Sequence, residues 1–114
     1  MDDITLVTII FITIGMAEIL QGIPLLYKKI KPNWLFGFRL PSTVSNEEIW
    51  YKVNEHVGRG LVYAGSIVVI GSLFLSVFNL NLNEKVWILV IILAVPLSAV
   101  LISGFLYLKK IVKK

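Results

Sequence analysis

The chain has 114 residues, 57% of them hydrophobic and 16% charged, and a formal net charge of +4, with mean hydropathy +0.85. A soluble monomer of this size hides only about two-thirds of its surface, and an average soluble domain carries roughly 25% charged residues, so the composition excludes a free-standing soluble domain. The basic residues flank apolar runs and form no stripe, which sets aside nucleic acid as a partner, and zero cysteines remove disulfides, thiolate metal sites and cysteine nucleophiles.

The expected fold is all-α: an integral membrane protein with three transmembrane helices and a short amphipathic helix before the second span, as one membrane domain over 1–114. The first span runs from Ile4 to Tyr27, 24 residues between acidic Asp2-Asp3 and basic Lys28-Lys29, enough to cross a hydrocarbon core of about 30 Å. It follows acidic residues and lacks a small-residue cleavage site, so it reads as a retained helix and not a signal peptide. Glu18 lies about 13.5 Å inside its end, near the bilayer middle, where an isolated charge is strongly unfavourable. Gly15, Glu18, Gln21 and Gly22 share one helical face, which predicts contact with a neighbouring helix. Gly58, Gly65 and Ser72, at seven-residue steps, make the second span that neighbour, and Arg59 is a candidate partner for Glu18. Glu18 reads either as a structural hydrogen-bonding group or as a proton-exchanging or peptide-binding site. Pro24 predicts a local bend.

The connection over 28–56 is the one substantial polar segment. Pro32 is expected to stop the first helix, Gly37 to supply a positive φ or a close backbone approach, and Pro41 to hold Leu40 extended. Ser45 with Glu48 has the spacing of a capping box, which starts a helix at Asn46. On that helix Ile49, Trp50, Val53 and Val57 form an apolar strip, and the helix either lies at the interface or runs into the second span. Trp50 reads as an interface anchor in preference to a ligand stack. Asn33 and Asn54 are expected to hydrogen-bond the loop backbone. Arg39, with five donors in a planar fork, suits a carboxylate, a lipid phosphate or a loop carbonyl.

Pro32-Asn33, Gly37, Arg39, Pro41, Thr43, the Glu48-to-Trp50 segment, Asn54 and Gly58 together resemble the motif of the SdpI family, over about residues 20 to 75. These are bacterial and archaeal integral membrane proteins whose best-known member confers immunity to a secreted antibacterial peptide and takes part in signalling its presence. The resemblance implies a membrane protein of short form that carries the conserved domain almost alone. It implies an amphipathic peptide or a cytoplasmic regulator as partner, and it marks Asn33, Gly37, Arg39, Thr43, Trp50, Asn54 and Gly58 as the binding or structural motif.

The second and third spans are expected over 57–80 and 86–108, with Asn79 to Lys85 as a tight turn and Pro96 bending the third. Ten of the eleven basic residues fall in or beside the first connection or in the tail, and Lys85 alone marks the second connection. That asymmetry predicts a multi-pass cell-membrane protein with its N-terminus outside and its C-terminus cytoplasmic. Tyr27, Trp34, Trp87 and Tyr107 match an aromatic belt. His56 is the single histidine and is expected to meet water and headgroups. Ser66, Ser72, Ser76, Ser98 and Ser103 are expected to have no histidine at their depth, so no enzyme, metal or cofactor is anticipated. Three functions stay open: an immunity or sensing protein, a proton-coupled transporter or channel component using Glu18, and a structural adaptor of a membrane complex. Membrane lipids are partners in each, and a homo-oligomer is compatible with all three.

Overall fold

The structure, a computed structural model, describes residues 2–112; Lys113 and Lys114 of the expected basic tail lie outside the described residues. Four helices follow in order: α1 (Asp3–Leu26), α2 (Pro41–Val44), α3 (Glu47–Leu75) and α4 (Leu82–Val112). Among them α1, α3 and α4 are long and apolar enough to cross a membrane. At 1.5 Å per residue, the 29 residues of α3 and the 31 of α4 extend well past a hydrocarbon core of about 30 Å. The amphipathic Glu47–His56 stretch runs without a break into the second span, and α2 is the short helix that precedes it.

Each helix end has its own stop. Asp2 caps α1, its carboxylate accepting from the Thr5 amide at 2.7 Å. At the other end Lys28 takes φ 59°, with the Lys29 amide donating to Pro24 O at 2.8 Å and the Lys28 amide to Leu25 O at 3.2 Å. Those bonds form a Schellman motif, so α1 ends before Pro32 can act. The capping residue of α3 is Asn46, which accepts from the Ile49 amide at 3.1 Å, and the expected Ser45–Glu48 box does not form. Ser45 instead donates to Pro41 O at 2.6 Å within α2, and Glu48 pairs with Lys52 at 3.0 Å. Asparagine accepts from the N3 amide as well as serine does, and Pro41 at the start of α2 puts Ser45 at the end of that turn. The expected second span to Leu80 is cut at Leu75, and α4 begins at Leu82 under an Asn81 cap that accepts from the Glu84 amide at 2.8 Å. α4 continues as helix through Pro96.

α3 is the central element: α1 packs along one side and α4 along another, with little direct contact between α1 and α4. The α1–α3 seam is built on two reciprocal glycine pairs. A Cβ at Gly22 would lie 2.6 Å from Gly58 O and one at Gly58 2.7 Å from Gly22 O, and Gly15 and Gly65 face each other in the same way. Backbones this close leave no room for side chains. On the other side Phe38, Val53, Val57, Ala64, Val100 and Leu108 form the core between the connection, α3 and α4. The contacts of Phe38 with Phe105 and of His56 with Ser103 put the first connection and the end of α4 at one end of the molecule. Lys85 lies at the opposite end, beside Asp2.

Candidate functional site

The connection folds back as an ordered cap on that end, and the motif residues hold it there. Asn33 turns the chain after Pro32: its Oδ1 accepts from the Leu35 and Phe36 amides at 2.8 and 2.7 Å, and its Nδ2 donates to Lys31 O at 2.6 Å. Arg39 closes the same turn from outside, Nη1 donating to Trp34 O at 2.8 Å. Of the three targets open to Arg39, the loop carbonyl is the one it meets. Thr43 is buried and accepts from the Leu40 amide at 2.8 Å, its hydroxyl lying 2.9 Å from both Phe38 O and Leu40 O. Pro41 and Thr43 thereby fix α2 against the loop.

Asn54 ties the cap to α3. Its Oδ1 accepts from the buried Phe38 amide at 2.6 Å while its Nδ2 donates to Trp50 O at 3.0 Å, so the side chain serves two backbone groups in buried surroundings. Gly37 must be glycine for two reasons: its φ is 100°, and a Cβ there would fall 2.8 Å from Asn54 Oδ1 and 3.2 Å from the Trp50 ring. Trp50 is 0% exposed, and its indole donates to Ile30 O at 2.8 Å. The interface-anchor reading of Trp50 is therefore overturned, because its one polar atom is used to hold the loop. The exposed aromatic of this region is Trp34, beside Leu35, which is 88% exposed. Gly58 belongs to the α1 seam, facing Gly22, Leu25 and Leu26.

The intramembrane polar residues separate. Glu18 is buried on the seam against Gly65, and neither carboxylate oxygen has a hydrogen-bond partner among the described residues. The candidate Glu18–Arg59 contact does not form: Arg59 reaches Glu55 at 3.3 Å, and Glu55 also pairs with Lys28 at 3.4 Å. Gln21 is exposed, off the Glu18 face. The buried positions of α1 are Gly15, Glu18, Gly22 and Leu25, a strip as narrow as a coiled-coil seam, and Gln21 falls outside it.

A further correction concerns serine and histidine. His56 Nε2 lies 2.6 Å from Ser103 Oγ, and its ring stacks on Tyr107 with centroids 4.6 Å apart. The two residues are 47 positions apart, and no local pattern announces their meeting. A serine beside an imidazole is the start of a nucleophilic site, but among the described residues no carboxylate bonds to this ring. No group of three or more His, Cys, Asp or Glu suited to a metal occurs among the described residues. Phe38, edge-on to Phe105 at 5.1 Å, is the other residue that reading the sequence missed; an aromatic directly after a glycine in a basic loop was its only signal.

The model of the SdpI/YfhL protein family matches residues 29–104. The chain belongs to the SdpI/YfhL family. The match starts later than the expected 20 and runs past 75 to 104, so the SdpI/YfhL segment contains the cap, all of α3 and most of α4. Glu18 lies outside it. No curated protein and no solved structure matches the chain.

Proposed function

We propose that this SdpI/YfhL protein acts without catalysis in immunity to, or sensing of, an antibacterial peptide, with the cap facing the cytoplasm as a surface for a regulator. The observation that carries the reading is the family match over the cap and its two supporting helices. Supporting it, the inner side of the cap is fixed by Asn33, Thr43, Trp50 and Asn54, while Trp34 and Leu35 stand exposed between Lys31 and Arg39. A preorganised surface with an apolar tip and basic flanks loses little entropy on engaging a partner. The cytoplasmic placement follows the positive-inside rule, since Lys28, Lys29, Lys31, Lys109 and Lys110 gather at that end. Deletion of the gene should sensitise the producing strain to an amphipathic peptide, and unchanged sensitivity across a panel of such peptides refutes immunity. Crosslinking from position 34 in native membranes should capture a cytoplasmic regulator; position 50 is buried and suits no such probe. Labelling of introduced cysteines near Gly37, and not near Asn81, from outside intact cells reverses the orientation.

A second reading, proton-coupled transport, rests on the unpartnered carboxyl of Glu18. Glu18→Gln should abolish pH-driven flux in reconstituted vesicles, and a parent protein without flux removes this reading.

A further inference from the structure

Between α3 and α4 lies a groove of about 340 Å³, within the range of small-molecule sites, roughly 300 to 1,000 Å³. Ala64, Ile67, Pro96 and Val100 form its apolar wall, and His56, Arg59 and Ser103 its polar end. From Arg59 to Ile67 is eight helical residues, about 12 Å, most of the depth of one leaflet at about 15 Å. His56 and Ser103 satisfy each other. Arg59 does not spend its fork: it makes one bond, to Glu55, and its side chain is half exposed. Lys28 shares that carboxylate at 3.4 Å, so two cations and one anion leave the mouth net positive. Lys28 and Arg59 also line an adjoining hollow beside Leu26 and Tyr27, with the Glu55 carboxylate they share as its third charged group.

We propose that this groove seats an anionic phospholipid, its phosphate on Arg59 and Lys28 and one acyl chain along Ala64, Ile67, Pro96 and Val100. The guanidinium fork matches phosphate oxygens bidentately, and basic pockets between spanning helices are suited to acidic headgroups. A cationic peptide is repelled at the mouth by the net positive charge of Lys28, Glu55 and Arg59.

The test is native mass spectrometry of the full chain in detergent with equal amounts of phosphatidylglycerol and phosphatidylcholine. The parent should retain phosphatidylglycerol with about fivefold preference, the worth of one well-placed cation at a charged headgroup. Arg59→Gln should abolish the preference by removing the fork. Ala99→Phe, from an exposed position on the groove rim, should abolish it by filling the space, and Lys110→Gln should leave it intact. Arg59→Lys keeps the charge and replaces Arg59→Gln if the latter does not fold, with partial loss expected. Equal retention of both lipids by the parent overturns the proposal. So does a preference that survives Ala99→Phe, or retention of an amphipathic peptide in place of the lipid.

Discussion

α3 meets its two long neighbours in opposite ways. Toward α1 it is flush, backbone to backbone where Gly58 meets Gly22 and Gly65 meets Gly15. Toward α4 it is keyed by side chains, with Phe38 wedged near Gly104 at one end and a groove left open beyond. In lipid no hydrophobic gain separates apposed from parted helices, so close van der Waals contact is what holds them. The flush seam therefore suits a fixed support, and the keyed seam, with room and unused donors, suits exchange of a ligand.

The largest effect should come from breaking the flush seam. Gly58→Leu forces a side chain against Gly22 O, the Leu26 amide and Leu25. Overpacking against movable side chains costs about 1–3 kcal/mol, and here backbone stands in the way, so the loss should reach or pass about 3 kcal/mol. Unfolding in mixed micelles by sodium dodecyl sulfate titration measures it. An equal loss from Ala99→Leu, on the groove side, would show that the seams do not differ.

Next is the key itself. Asn54→Leu keeps side-chain size but strands the buried Phe38 amide, a penalty of about 1–3 kcal/mol. Hydrogen exchange should quicken at residues 33–40 while residues 15–22 stay protected. Loss of protection in both would merge the two seams into one cooperative unit.

These contrasts were unevenly legible from sequence. Seven-residue glycine spacing on both helices identified the flush seam, because such a register needs only helical geometry. Gly37 was recognisable from the backbone freedom that glycine brings to a loop, Asn33 and Asn54 from the readiness of an asparagine amide to bond nearby backbone, and Thr43 only through the family resemblance. The keyed seam was not legible: Phe38 with Phe105 and His56 with Ser103 join distant segments whose local patterns are ordinary. Trp50 was misread because an aromatic at a span boundary is usually an interface anchor, and burial depended on where Ile30 returned. Gln21 was placed on the Glu18 face by its three-residue spacing and Arg59 beside Glu18 by side-chain reach, whereas close helices bury only a narrow strip.

A smaller effect sharpens the flush seam. Glu18 buries two unpartnered oxygens there, a cost of roughly 1–3 kcal/mol. Glu18→Leu should raise resistance to the same titration by about 1 kcal/mol. A gain in stability with unchanged peptide sensitivity would make Glu18 a transport residue or a relic; a loss would show that the carboxyl supports the seam.

The smallest effect is at the N-terminal end of α1, thirteen residues before Gly15. The Thr5 amide, bonded to the Asp2 carboxylate, holds that carboxyl below its ordinary value of 3.8, with the Lys85 charge adding a lesser pull. Because the folded value is lowered, the ionised cap contributes its full stabilisation above the unfolded pKa. The contribution fades as pH falls through that value and then through the lowered folded one. The first turn of α1 should therefore loosen below about pH 4, visible as a shift of the Thr5 amide resonance in micelles. Asp2→Asn keeps a capping oxygen and has no carboxylate to protonate, so its Thr5 resonance should not follow pH. Since the nearest glycine contact is more than three turns away, the seam amides at Gly15 and Gly22 should stay unchanged in both proteins. Movement of those amides with the Thr5 titration would mean that the seam closes cooperatively from the N-terminus of α1.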